Sequence, residues 1–167
     1  MTYKIAHLAD VHIKNLKYHY EYRHVFNQLY AILRKNEVDY IYIGGDIAHT
    51  KTQISPEFVQ LCSELFTNLA EIAPLYIILG NHDGNLRNKS RQDAITPIVN
   101  ALDNPNIHLL AAAGETIVTD DLAFNVLSVF DEDNWVKPSS EDRINIAFYH
   151  GCVAGVQTDA GWVMEYG

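Results

Sequence analysis

The chain predicts an α/β protein, a layered αββα sandwich in which two mixed β-sheets pack together with helices outside. Three observations predict it. Through the first hundred residues short apolar strands alternate with amphipathic helices, the pattern of a sheet covered by its own crossovers. Beyond about residue 105, strand signals follow one another with no helix between them. Four of the strands also end in runs of Asp, His and Asn, which in an open α/β sheet gather outside the carboxyl ends of the strands. The length of 167 residues fits one domain, residues 1–167.

The elements follow in order. A first strand over 5–9 runs into Asp10-Val11-His12. A polar stretch then carries Tyr18, Tyr20 and Tyr22 at period two, expected to pack against the sheet. A helix is predicted over 21–36, with Val25, Phe26, Leu29, Ile32 and Leu33 spaced as one buried face. The second strand, 40–43, runs into Gly44-Gly45-Asp46. The next helix opens at Ser55-Pro56-Glu57, a serine N-cap followed by proline at the first helical position. Phe58, Leu61, Cys62, Leu65, Phe66 and Leu69 form its inner stripe, and Pro74 ends it. A third strand, 76–79, leads into Gly80-Asn81-His82-Asp83. A third helix is expected over 91–102, stopped by Asp103-Asn104-Pro105. Short strands are expected over 107–110, 115–118 and 123–129, and a last one over 144–149 delivers His150 and Gly151.

Composition narrows the classes. A hydrophobic fraction of 48% with 20% charged residues is ordinary for a globular domain. No apolar run approaches the roughly 20 residues that span a bilayer, so no membrane partner is expected, and nothing reads as a signal peptide. The two cysteines form no spaced motif; Cys62 reads as core and Cys152 as a bystander to His150. A reducing, cytoplasmic setting fits them. The net charge of −9 runs against a nucleic-acid partner, which ordinarily meets a basic face. A nucleic-acid function must therefore rest on a local site, where bound cations dominate the field.

Such a site is legible. Asp10, His12, Asp46, Asn81 and His150 all fall at strand ends, and carboxylate, imidazole and amide oxygen together suit one or two divalent cations. Asp10-x-His12, Gly45-Asp46, Gly80-Asn81-His82-Asp83 and His150-Gly151, in this order, resemble the signature of the calcineurin-like metallophosphoesterases. Asp46-Ile47-Ala48-His49 resembles the Gly-Asp-x-x-His run of the SbcD-type repair nucleases. Gly80-Asn81-His82-Asp83 followed by Ser90-Arg91-Gln92-Asp93-Ala94 is similar to phage recombination-nuclease subunits of that branch.

The resemblance implies the metallophosphoesterase fold and a two-metal site. Asp10 and His12 hold one cation, Asn81 and His150 the other, and Asp46 bridges them. The metal is expected to be Mn²⁺, with Mg²⁺, Fe²⁺ or Zn²⁺ as alternatives. Two such cations about 3.5–4 Å apart clamp a phosphoryl oxygen and lower the pKa of a bridging water to give hydroxide. His82 is the expected proton donor to the leaving oxygen, Asp83 the group that fixes its tautomer, and His49 a contact to the substrate phosphate. Arg87, Lys89 and Arg91 form a basic cluster that could hold DNA phosphates, weighed against a solvated loop.

The family pattern adds a Gly-His-x-His motif after His150. The chain contains none, so the domain is expected to be incomplete at its C-terminus. By the resemblance, the function is DNA phosphodiester hydrolysis in recombination and repair, as exonuclease or endonuclease. A homodimer and an SbcC-type ATPase would be its partners, in the cytoplasm of a bacterial or phage-infected cell. Two alternatives stay open: a phosphoesterase of nucleotides or other small phosphoesters, and a degenerate fold serving as a non-catalytic scaffold.

Overall fold

The computed structural model describes residues 2–165. Its strands are β1 (Ile5–Leu8), β2 (Tyr40–Ile43), β3 (Leu75–Ile77), β4 (Ile107–Leu109), β5 (Gly114–Thr119), β6 (Leu122–Leu127) and β7 (Ile144–Tyr149). The helices are α1 (His19–Asn36), α2 (Pro56–Ala70) and α3 (Thr96–Leu102). Two sheets result, ordered β1-β2-β3-β4 and β5-β6-β7. The α/β two-sheet architecture is the expected one.

One detail differs. Every pair in the first sheet is parallel, so only the second sheet is mixed, with β5 and β6 antiparallel and β6 and β7 parallel. The connections explain this. β1, β2 and β3 are each followed by a helix that returns the chain to the same end, as parallel pairing requires, whereas β5 and β6 are joined by a tight turn.

Alternation along the strands divides the apolar residues between two cores. Ile41 and Ile43 of β2 face the helices and join Phe26, Leu33, Phe58, Leu65 and Phe66. Tyr42 faces the second sheet, where it joins Tyr76, Leu122, Phe124 and Phe148. Its ring stacks on Phe148 with centroids 3.6 Å apart. Cys62 is fully buried in the first core, and Cys152 is exposed. All three helices contribute their buried side chains to the first core.

Two helices depart from the sequence reading. Helix α1 begins at His19, and its inner stripe is Tyr22, Phe26, Leu29, Tyr30 and Leu33. Val25 and Ile32 are each 57% exposed. The stripe at i, i+4, i+7, i+8, i+11 packs the rings of Tyr22 and Tyr30 where Val25 and Ile32 were expected, and two aromatic rings offer a larger area to bury than two aliphatic side chains. Because these tyrosines belong to a helix start and not to an extended segment, only Tyr22 packs; Tyr18 and Tyr20 face solvent.

Helix α3 begins at Thr96, not near residue 91. The Asp93 carboxylate accepts the amides of Ile95 and Thr96 at 2.8 and 2.7 Å and the Thr96 hydroxyl at 2.6 Å. Pro97 then occupies the first turn, where a missing amide hydrogen costs nothing. Helix α2 is as read, with the Ser55 hydroxyl accepting the Phe58 amide at 3.1 Å.

Candidate metal centre

The site is assembled by backbone before any side chain takes part. Parallel pairing between the first two strands continues into the turns beyond them. The Gly44 amide donates to Leu8, Asp10 to Gly45, His12 to Asp46 and Ile13 to Ile47, over 2.7–3.1 Å. Within this zipped pair of turns Asp10, His12 and Asp46 have φ of 55°, 47° and 53°. Left-handed backbone is costly for residues with a Cβ, of order 1–3 kcal/mol each, and persists where surrounding structure enforces it. Three such residues in adjoining turns turn their side chains into one cleft.

Two glycines let the third and fourth turns close on the same point. Gly45 has φ +91°, and a Cβ there would lie 2.7 Å from the Gly80 amide nitrogen and 2.8 Å from Nδ1 of His150. A Cβ on Gly80 would collide with the Asp46 carboxylate. Glycine is therefore required at both positions for the close approach itself.

Asp46 is the hub. Its side chain is 5% exposed, against 62% for Asp10. Oδ1 accepts the His82 amide at 2.9 Å and lies 3.3 Å from Nε2 of His150. Oδ2 lies 3.6 Å from Nε2 of His12, which is also 3.6 Å from Oδ1 of Asp10. Two groups share Asp46, one with His12 and His82 and the other with Asp10 and His150, and the ligand atoms within each lie within 4.8 Å of one another.

The histidine tautomers suit metal ligation. Nδ1 of His150 faces the Gly44 carbonyl at 2.6 Å, and Nδ1 of His82 faces the His49 carbonyl at 2.8 Å. A carbonyl only accepts, so both Nδ1 atoms carry the hydrogen and Nε2 keeps its lone pair. Nδ1 of His12 is buried without a hydrogen-bond partner among the described residues. Two carboxylates and three imidazoles fit a divalent cation of the Mn, Fe or Zn kind better than a calcium-type oxygen cage.

The structure thus brings Asp10, His12, Asp46 and His150 together, with His82 beside them. Asp10 falls in one group with His150 and His12 in the other with His82, while Nε2 of His12 also lies 3.6 Å from Asp10, the neighbour expected for it. Asn81 is exposed on the rim and lines an adjoining cleft with His49 and His82. The His49 ring lies 5.8 Å from that of His12 and 6.3 Å from that of His82.

Asp83 is not the partner of the His82 ring, and this corrects the sequence reading. It is fully buried and accepts the amides of Ala48 and Gly80 at 2.8 and 2.9 Å, tying the turn after β2 to the turn after β3. Burial pushes its carboxyl up to about 6 against the pull of these amides, and the nearby charge of Asp46 adds to the rise. Its residue position, next to His82, points the side chain inward because the turn folds back on Gly80.

Arg87, Lys89 and Arg91 are exposed on the following loop. Lys89 and Arg91 line a separate recess with Asp93 and Asp131, and the Lys89 ammonium lies 3.9 Å from Glu132. Those acids offset the basic cluster.

Two residues escaped the sequence reading. The Tyr22 hydroxyl donates to the His12 carbonyl at 2.7 Å, bracing a left-handed residue. Lys51 donates to the Asn81 carbonyl at 2.9 Å. Tyr22 carried no signal beyond its Tyr-rich setting; Lys51 could have been noticed as a cation in the loop after Asp46.

An α/β two-sheet fold with acids and histidines converging on one buried aspartate at the strand ends defines a candidate metal-centred hydrolase. Residues 3–165 match the calcineurin-like phosphoesterase family, and the chain belongs to it. It is also similar to an uncharacterized protein of Acanthamoeba polyphaga mimivirus, 39% identical over 176 residues that cover 96% of this chain. The chain spans 13% of that relative's length. Among solved structures it is similar to the Pseudomonas putida nuclease MPE, at 20% identity and a TM-score of 0.48, covering 86% of this chain and 59% of that one. No helix among the described residues is long and apolar enough to cross a membrane.

Proposed function

We propose that the chain carries the phosphodiester-hydrolysing site of a divalent-metal-dependent DNA nuclease acting in recombination and repair. The observation that carries the reading is the sharing of buried Asp46 between two ligand groups. Bound at Asp10, His12, Asp46, Asn81 and His150, a pair of Mn²⁺ ions would supply Lewis-acid polarisation of the phosphoryl group and an activated water.

The chain's own residues do the rest. Asp46 holds both groups in register through its two oxygens. The Gly44 and His49 carbonyls keep His150 and His82 in the tautomer that presents Nε2. With its Nδ1 hydrogen on the His49 carbonyl, His82 would take up a second proton on Nε2 and pass it to the leaving oxygen, a contribution of roughly 10²–10⁴ in rate. The turns beside this centre exclude water from Asp46 while leaving Asp10 open to substrate. The preference for DNA rests on the resemblance of Asp46-Ile47-Ala48-His49 to the SbcD-type nucleases. An SbcC-type ATPase and a second copy of the chain are the partners proposed with it.

The test supplies Mn²⁺ and measures hydrolysis of linear DNA and of bis(p-nitrophenyl) phosphate, with Asp46→Ala as control. Metal-dependent cleavage of both, lost in Asp46→Ala, is the expected outcome. Cleavage of the small diester alone would transfer the reading to small phosphoesters. Absence of Mn²⁺ binding by calorimetric titration would leave a non-catalytic scaffold.

A further inference from the structure

The turns after β2 and β3 enclose a cleft of ≈ 240 Å³ lined by His49, Thr50, Lys51, Thr52, Asn81 and His82. His82 belongs both to this cleft and to the Asp46 cluster, and its ring centroid is 4.8 Å from that of His12. The cleft therefore opens directly beside the candidate metal centre. Its walls are tied across by two hydrogen bonds, His82 to the His49 carbonyl and Lys51 to the Asn81 carbonyl. Lys51 is the only Lys or Arg lining it among the described residues, and the two threonines add hydroxyl donors. Donors and one ammonium without any carboxylate make a wall for an anion, in a protein whose net charge is −9.

We propose that this cleft is a second phosphate subsite, in which Lys51 contacts a non-scissile phosphate of a single polynucleotide strand while the neighbouring linkage lies at the metals. The inference rests on the proposed phosphodiester-cleaving function and deepens it. Lys51 becomes a specificity determinant, favouring chains with a flanking phosphate over isolated diesters. One ammonium of Lys51 can serve both ends, since it has three donors and the Asn81 carbonyl uses one. The recess around Lys89 and Arg91 is a poorer candidate, because Asp93 and Asp131 share its walls.

The test compares wild type with Lys51→Gln and Lys51→Arg in two independent measurements. The first is kcat/KM with Mn²⁺ on a short single-stranded oligonucleotide and on bis(p-nitrophenyl) phosphate, which has no flanking phosphate. Lys51→Gln should lower the ratio of the two by roughly tenfold, through KM on the oligonucleotide, and Lys51→Arg should restore most of it. The second is oligonucleotide binding in EDTA as salt is raised, where Lys51→Gln should flatten the log–log slope by about 0.7, one phosphate contact. An equal loss on both substrates, or an unchanged salt slope, would make Lys51 only a tie between the loops and overturn the proposal. If wild type cleaves neither substrate, the parent reading fails, and the EDTA slope still decides Lys51.

Discussion

The two sheets divide the labour unequally. The parallel sheet is covered by three helices and sends three turns, from β1, β2 and β3, into the candidate centre. The mixed sheet sends one residue, His150, and otherwise backs the first sheet with Leu122, Phe124 and Phe148. The difference follows from topology. Parallel strands end side by side at one edge, so every crossover delivers polar groups to the same place. In the mixed sheet β5 runs the other way; β6 and β7 are parallel and end at the same edge, and of the two β7 delivers the ligand-type side chain, His150. His150 reaches Asp46 with its Nδ1 anchored on the carbonyl of Gly44, in the turn after β2.

Metal titration would break or sharpen this contrast most strongly. Asp46→Ala should abolish Mn²⁺ binding, because both groups lose their shared carboxylate. His150→Ala should cut the calorimetric stoichiometry from two Mn²⁺ to one, since only the group completed by the mixed sheet is lost. Equal stoichiometry in wild type and His150→Ala would show that the second sheet contributes no ligand.

Core substitutions should cost somewhat less specific but still large amounts. Phe66→Ala, beneath the helices, and Phe124→Ala, between the sheets, are both fully buried and should each destabilise by about 3–5 kcal/mol in urea. If the sheets are energetically one body the two variants will unfold in single transitions; an early partial transition confined to Phe124→Ala would mark the mixed sheet as a separate unit.

Asp83→Ala strands two buried amides, of Ala48 and Gly80, and should cost roughly 2–4 kcal/mol while weakening Mn²⁺ binding. Loss of stability with undiminished metal affinity would show that the tie between the two turns is structural alone. Arg23→Ala should have the smallest effect. Its bidentate contact with Glu64 joins α1 to α2 but both side chains are more than a third exposed, so denaturation should shift by about 0–1 kcal/mol.

Much of this centre was legible in order along the chain, because strands of a parallel sheet and the polar residues that end them are local patterns. Asp10, His12, Asp46 and His150 could be picked out for that reason. Asp83 could not, since adjacency to His82 says nothing about which way a turn folds, and only the return of the chain onto Gly80 buried it. Val25 and Ile32 misled because helical spacing allows two neighbouring stripes; which one is buried depends on the surface facing the helix. The start of α3 at Thr96 was written in Asp93 and Pro97, a cap and first-turn signal outweighed by the apolar run around it.

By itself, the order of residues determined the α/β class, the family signature and four of the converging side chains, since each depends on short-range periodicity or on motifs. Only the tertiary structure decided which groups share Asp46, which ring nitrogens are free, and that Lys51 stands beside the cluster. Those facts are distances between turns far apart in sequence, set by how the strands align and by the two glycines that let Asp46 sit among them.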